Sequence, residues 1–388
     1  MKQLLLVMLL LTLHVVTARS EDFLKKLPPT FVGNEIIPSS DGGYVIAGSI
    51  FSSLHNSEDL AVIRTNAAGE ILWSFSYGEK QDDKATSIIQ TTDGSFVAVG
   101  TFGTVLNGTE LTSALMLKID ATGAVQWKKT WGDSKNCTGI AVMEKADLSL
   151  VLLASTEWMK GEQQVRDVLL MHLRSTGETI TTTTLETPDF DFTSVFAQLH
   201  STSLLISTQT LKGLLLTMMN ETLTVQWSKE LSTNWTDIPR TIYVRQDSTL
   251  VIIGSTGEVR GGAMGKIFFM HVSREGKVLT RKEIGDNHSS VVITAAYHHP
   301  SGGYILCGTK RSTGYPEVYI VKLTETGDLM WGNQINGTWE QGGGGTSIKP
   351  AADGELILTG FENHSGSHDG FMMNLKSNGQ SDKNRHRD

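Results

Sequence analysis

Only two cysteines occur in 388 residues, too few for a disulfide framework. After Leu13 no apolar run approaches the roughly 20 residues that a membrane-spanning helix requires, so no membrane span is expected in the body of the chain. Clustered basic residues are also missing. Thirty-three Lys and Arg stand against 41 Asp and Glu, a formal charge of −8, which argues against nucleic acid or an anionic membrane as a partner. The sequence has no Gly-rich phosphate loop, no Ser-His-Asp order and no Cys-His cluster, so the commonest signatures of nucleotide chemistry, acyl transfer and structural zinc are absent. No cofactor is implied.

What is present first is a leader. Met1-Lys2-Gln3, an apolar run from Leu4 to Leu13, and Ala18-Arg19-Ser20 have the three parts of a secretory signal peptide. Residues 1–20 are therefore expected to be removed, which shifts the charge from −8 to −10 and sends the protein to the extracellular space. The ten apolar residues are too short to remain as an anchor.

The body of the chain is repetitive. From Ala85 to Trp131 four short β-type runs alternate with turns: Ala85-Thr-Ser-Ile-Ile-Gln-Thr, the turn at Asp93-Gly94, Phe96-Val-Ala-Val-Gly, Leu115-Met-Leu-Lys-Ile, the turn Asp120-Ala-Thr-Gly, and Val125-Gln-Trp. Asp41, Asp93, Asp147, His200, Asp247, Ser301 and Asp353 hold the same place in seven copies, at steps of 52, 54, 53, 47, 54 and 52 residues. Four strands per unit at that period predict an all-β, seven-bladed β-propeller of four-stranded antiparallel blades, one domain over residues 21–380 with a disordered polar tail over 381–388. A monomer is expected. The second and third strands are apolar almost throughout, as in sheets packed on both faces. The seventh repeat has only three strands, and Phe23-Leu-Lys-Lys-Leu resembles the missing outer one. That segment is predicted to pair with repeat seven and close the ring. Cys137 and Cys307 fall in repeats three and six, which are not neighbours in such a ring. Cys307, inside Tyr304-Ile-Leu-Cys-Gly, reads as a buried small hydrophobe.

Units of the form Gly42-Gly-Tyr-Val-Ile-Ala-Gly48, Lys118-Ile-Asp-Ala-Thr-Gly-Ala-Val-Gln-Trp127 and Trp131-Gly132 resemble the secreted β-propeller repeats of bacterial and archaeal cell-surface proteins, most of which have no assigned activity. The resemblance spans essentially the whole mature chain and is sharpest in repeats one, two and six. It implies a fold rather than a chemistry. Asp120, Gly123 and Trp127 are also spaced similarly to quinoprotein repeats, which usually carry one more residue between the aspartate and glycine and usually number eight. Kelch-type repeats share the late tryptophan, but their paired glycines end the second strand, where this chain has Ala47-Gly48 or Val99-Gly100.

Functional candidates sort by face. Connections between strands two and three and between blades share one face, the top, and are expected to be long loops; the bottom carries tight turns. Asn-x-Ser/Thr acceptors occur at Asn107, Asn136, Asn220, Asn234, Asn287, Asn336 and Asn363. All but Asn220 map to the top, so N-glycans are expected to crowd that face, and a eukaryotic host follows. Asp83, Asp191, Asp237 and Asp286 precede first strands, joined by Arg240. They are candidates for a polar ligand or acid-base site at the central funnel, against the plainer alternative that each caps backbone N–H groups between blades. Trp158, Trp235 and Trp339 are placed in top loops, where they would stack on a sugar or pack on the rim. Trp73, Trp127, Trp227 and Trp331 start fourth strands and read as blade packing. His364 and His368 with Asp369 stand in the last top loop, where the spacing barely supports a metal site, and no metal is expected. His298-His299 is placed in a solvated bottom turn.

The leading expectation is a secreted, glycosylated, non-enzymatic binding module whose partner is an extracellular protein or glycan. The rival is an extracellular enzyme with a funnel active site, glycoside-processing or quinoprotein-like. Expression in a eukaryotic secretory host is expected to yield a chain starting near Glu21 whose mass falls on treatment with peptide N-glycosidase. N-terminal sequencing and mass spectrometry check both; an intact Met1 with no glycan loss would refute the assigned compartment.

Overall fold

A computed structural model describes residues 23–380 apart from 107, 133–134, 161, 187–193, 200–202, 211, 232–235, 258–264, 336–340, 352–353 and 365–366. The expected leader (1–20) and tail (381–388) lie outside the described residues. Twenty-eight strands, β1 to β28 in chain order, form seven separate four-stranded antiparallel sheets, with no helix among the described residues. Blade one comprises β2–β5 (31–77), blade two β6–β9 (84–131), blade three β10–β13 (136–185), blade four β14–β17 (194–231), blade five β18–β21 (238–284) and blade six β22–β25 (290–335). Blade seven is β26 (Gly343–Pro350), β27 (Leu356–His364), β28 (Ser367–Leu375) and, at its outer edge, β1 (Leu24–Lys26).

The core lies between the sheets. In blade two, residues Phe96 to Gly100 and Ala114 to Ile119 are buried one after another, and the twofold period of a strand sends alternate side chains to opposite neighbours. Phe96 and Ala98 join Val45, Ala47, Leu60 and Val62 of blade one. Val97 and Val99 join Leu150 and Leu152 of blade three. Seven such clusters occupy the seven interfaces around the ring. Continuous apolar runs therefore stabilise two contacts at once, each fully buried Leu, Val or Phe contributing about 1.5–3 kcal/mol. Cys137 and Cys307 are free thiols inside these clusters; burial pushes them up to about 11 and about 12, so both stay protonated near neutrality.

Ring closure takes the form expected from Phe23–Leu27. Leu24 pairs with Met373 and Lys26 with Phe371, and the Leu27 N–H donates to Gly370 O at 2.9 Å. Leu27 then enters the cluster between blades seven and one with Phe31, Ile36, Tyr44, Ile357 and Met372.

A second contact recurs near the circumference. The outer-strand tryptophan of one blade lies against the glycine of the outer turn in the next, where an added Cβ would come within 2.5–3.3 Å of the indole: Gly123 on Trp73, Gly177 on Trp127, Gly276 on Trp227 and Gly379 on Trp331. Trp73 and Trp127 also donate Nε1–H to the carbonyls of Ala121 and Ser175 in those turns. At the closing seam Phe23 takes the tryptophan's place against Gly69, and Gly327 abuts Phe269. Two further blades lack the tryptophan: blade five carries Thr280 and the facing turn keeps Gly327, which meets Phe269 instead, whereas at blade three both positions differ. Blade three carries Thr181 instead of tryptophan, and the facing turn carries Leu223 instead of glycine, held at φ 58° and buried among Val151, Leu153, Val168 and Leu170 of blade three. A larger turn residue occupies the interface where the tryptophan is missing, offsetting the roughly 1–2 kcal/mol of left-handed strain.

The top-face connections differ from their sequence reading. The expected polar loop after Gly100 is strand, with β7 (Phe96–Leu106) and β8 (Thr109–Ile119) paired out to Leu106 and Thr109. β11 (Leu150–Lys160) and β12 (Gln163–Leu173) do the same in blade three. Hydrophobic runs mark where a strand is buried; the backbone ladder continues past the core wherever two strands stay in register. Trp158 and Asn363 consequently sit on strands rather than in loops.

Leu223→Gly is expected to lower stability by about 2 kcal/mol, because lost burial exceeds relieved strain. Adding Thr181→Trp should recover most of that loss by restoring the contact used elsewhere. Denaturant unfolding of the two singles and the double checks this; additive losses would show that the two positions do not share one interface.

Candidate functional site

The axis of the ring is lined by the innermost strands, six of which place one extra residue in a β-bulge: Asn34, Thr86, Ile140, Arg240, Thr294 and Thr346, in the blades other than the fourth. A bulged residue is left out of its own ladder, and five of the six reach forward to a carbonyl of the next blade. Asn34 Nδ2 donates to Ala85 O at 2.7 Å, Thr86 Oγ1 to Gly139 O at 2.7 Å, Arg240 Nε to Ile293 O at 3.0 Å and Thr294 Oγ1 to Gly345 O at 2.7 Å. Thr346 Oγ1 closes the circuit on Gly33 O at 2.5 Å. Arg240, a funnel candidate by sequence, is thus a wall residue of the channel.

The channel cavity measures about 340 Å³ and includes Glu35, Lys349 and a collar of Thr, Ser and Ala side chains. Among the described residues lining it, Glu35 is the one carboxylate. It pairs with Lys349 at 3.0 Å and accepts the Ile88 N–H at 3.0 Å. Both lay outside the sequence candidates. The signal that would have found them is position, since each follows within three residues of a bulge on an innermost strand.

The acids preceding first strands do not converge on this channel. Asp83 is fully buried; Oδ2 accepts the Glu79 N–H at 2.9 Å and Oδ1 the Gly103 N–H at 2.7 Å. Asp237, also fully buried, is held by Arg281 Nη2 at 3.0 and 3.2 Å. Asp286 is exposed and accepts the N–H groups of His288 and Ser289 at 2.8 and 2.7 Å. Asp191, Trp235 and Trp339 lie outside the described residues, as do Asn107, Asn234 and Asn336. Trp158 is half-buried, donating Nε1–H to Asp167 Oδ2 at 3.3 Å beneath the Lys135 ammonium 4.2 Å from its ring.

Three described sequons stand toward the top. Asn287 is exposed, Asn136 opens β10 (Asn136–Glu144) with Oδ1 accepting the Thr112 N–H at 2.9 Å, and Asn363 is near the end of β27. Asn220 ends β16 (Gly213–Asn220), where its Oδ1 caps Thr222 and Thr224 in a bottom turn.

The bottom face holds a cleft of about 470 Å³ between blades five and six, lined by Tyr243, Arg245, Asp247, His298, Pro300 and Glu325 among others. His298 was expected in a solvated turn. It instead ends β22 (Ser290–His298), stacks on Tyr243 with centroids 4.1 Å apart, and bonds Glu325 Oε1 at 2.6 Å. The strand extends two residues further than its apolar pattern suggests, carrying the imidazole onto a neighbouring blade. His299 is buried and bonds Ser301 Oγ at 2.7 Å.

At the top of blade seven, Glu362 and His364 share one face of β27 and Asp369 stands opposite Glu362 on β28. His364 Nε2 lies 3.3 Å from Glu362 Oε1 and 3.6 Å from Asp369 Oδ2. The expected companion, His368, turns instead to Asn363 Oδ1 at 2.7 Å. Glu362 was missed because no sequence pattern signals it; the hairpin register alone brings it in.

No family model matches the chain and no curated protein matches it. Solved structures do match, a WD40 domain among them. Raptor of Chaetomium thermophilum superposes with a TM-score of 0.58 at 6% identity over 91% of this chain, which spans 29% of that protein. The Pan2 WD40 domain of Neurospora crassa gives 0.53 at 11% identity, covering 92% of this chain and 96% of that one. YCF48 bound to D1 peptide gives 0.54 at 10% identity, with 92% and 96% covered. At such identities the likeness establishes the propeller fold and nothing finer.

Burial raises Asp83 from 3.8 to about 6, assisted by the charges of Asp59 and Glu79 and opposed by its two N–H donors. Folded Asp83 therefore holds its proton to higher pH than the unfolded chain. Its stabilising contribution is complete below about pH 4 and disappears as pH rises through 6. The melting temperature of Asp83→Asn relative to the unaltered protein should accordingly climb between pH 4 and 7. A difference that stays flat would show that Asp83 is ionised throughout.

Proposed function

We propose that this chain is a secreted, N-glycosylated β-propeller that binds a partner protein through the cleft between blades five and six and catalyses no reaction. The observation that carries this reading is the composition and position of that cleft: a stacked Tyr243–His298 pair beside Arg245 and Glu325. Tyr and Arg are the residue types that dominate binding energy at protein interfaces. The cleft opens on the bottom face, where Asn220 is the one sequon among the described residues, so glycans on Asn136, Asn287 and Asn363 would leave it uncovered. The secreted cell-surface repeats that the sequence resembles, and the peptide in the YCF48 structure, are in keeping with recognition on a propeller scaffold.

The enzymatic alternative has less support. Glycoside hydrolysis uses two carboxyl groups about 5–9.5 Å apart, and the channel presents Glu35 already paired with Lys349. Asp83 and Asp237 are consumed by backbone and arginine contacts.

The test uses the secreted, glycosylated protein against an array of extracellular proteins. Tyr243→Ala and Arg245→Ala are each expected to weaken the partner's affinity by about tenfold or more, about 1.4 kcal/mol, while Trp158→Ala leaves it unchanged. A partner retained by both cleft variants, or lost with Trp158→Ala, would place recognition elsewhere.

A further inference from the structure

The top of blade seven holds the one group of three potential metal-ligating side chains found among the described residues. Glu362, His364 and Asp369 bring their ligand atoms within 4.8 Å of one another. The arrangement follows from strand geometry. Residues 362 and 364 are two apart and share a face, while Asp369 is the cross-strand partner of Glu362. We propose that these residues form a binding site for a divalent transition-metal ion of the zinc class.

Separation, burial and orientation support it. A tetrahedral ion with bonds of about 2.1 Å holds its donors about 3.4 Å apart. His364 Nε2 stands at 3.3 Å from Glu362 Oε1 and 3.6 Å from Asp369 Oδ2, and the Glu362–Asp369 side, within 4.8 Å, would close toward about 3.4 Å by approach of the two strand ends. Glu362 is 2% exposed. His364 Nε2 is sealed from solvent, points between the two carboxylates and makes no hydrogen bond. The buried imidazole nitrogen thus has only these two carboxylate contacts and no hydrogen bond of good geometry, and an ion between the three groups would bind all of them at once. Asp369 is already oriented, since its Oδ1 accepts the Thr30 N–H at 3.0 Å and leaves Oδ2 facing His364. One nitrogen and two oxygens suit zinc and its neighbours; calcium would demand six to eight oxygens.

The site already attracts a cation. Lys26, on the strand that closes the ring, places Nζ 2.6 Å from Glu362 Oε1, with its side chain 67% exposed. An ion would displace this ammonium, and the lysine is free to swing into solvent because its stem lies at the surface. The metal and the closing strand thus compete for one carboxylate, while Thr30 tethers the other to the same segment.

Calorimetric titration of the full mature chain, treated with chelator and then exchanged into buffer, tests this with Zn²⁺ alone and Ca²⁺ in parallel. One zinc ion should bind per chain, at least about tenfold more tightly than calcium. His364→Ala should weaken zinc about tenfold or more, and His368→Ala, whose ring is engaged by Asn363, should leave it unchanged. Lys26→Met should tighten zinc severalfold by removing the competitor, an outcome that a purely structural ion-pair cluster would not produce. This variant keeps the test decisive if His364→Ala fails to fold. Absence of zinc binding in the unaltered and Lys26→Met chains, or binding indifferent to His364→Ala, would overturn the proposal.

Discussion

The segment Phe23–Leu27 hydrogen-bonds to the last strand, and every other interface depends on that join. Six of the seven blades are built from consecutive strands, so each forms by local hairpins. Blade seven borrows β1 across more than 300 residues, with Leu24 set against Met373. Without it β28 would present an open edge, and the cluster of Leu27, Phe31, Ile36 and Met372 between blades seven and one would lose a wall. A ring of sheets distributes its core over seven equivalent interfaces, so the closing seam must match the others in quality. It does so with the same devices: an aromatic ring on a turn glycine, here Phe23 on Gly69, and a bulge hydroxyl on a neighbouring carbonyl, here Thr346 on Gly33.

Those two devices sit at opposite radii. Near the axis the blades converge, and hydrogen bonds from bulge side chains to carbonyls of the next blade satisfy backbone groups there. Toward the circumference the blades diverge, and tryptophans fill the widening gap. At the Thr181–Leu223 interface a missing indole is accompanied by a larger turn residue despite its positive φ, whereas opposite Thr280 the turn keeps Gly327 and a third-strand ring, Phe269, fills the space. The same demand occupies polar groups along the channel. Polar groups at the axis are engaged in holding blades together, as Arg240 is with Ile293 O and Glu35 with Ile88 N–H.

Groups available for recognition accordingly lie at the ends of strands, where the inter-blade packing stops. The Tyr243–His298 stack and the Glu362–His364–Asp369 group both occur at such ends, on opposite faces. Each is only partly legible in the residues. His298 was recognised as part of a histidine pair but assigned to a solvated turn, because an apolar pattern reports burial and not the full length of a paired strand. His364 and Asp369 were noted together, yet His368 was chosen as their companion by proximity in sequence. Register puts Glu362 there and turns His368 to Asn363.

The blade number, the four-stranded unit, the buried second and third strands and the closing role of Phe23–Leu27 were all legible in the residues. Each is written in local patterns, a turn signal or an apolar run, that repeat every 50 or so positions and reinforce one another. Tertiary structure alone decided which polar residues meet. Asp83 and Asp237 hold equivalent places in their repeats, but one is capped by backbone N–H groups and the other by Arg281. The reason is physical: burial of apolar surface is additive and non-directional, so composition along the chain suffices to announce it. A hydrogen bond or an ion pair depends on ångström-scale separation between groups from different strands and blades, which is known only once the ring has closed.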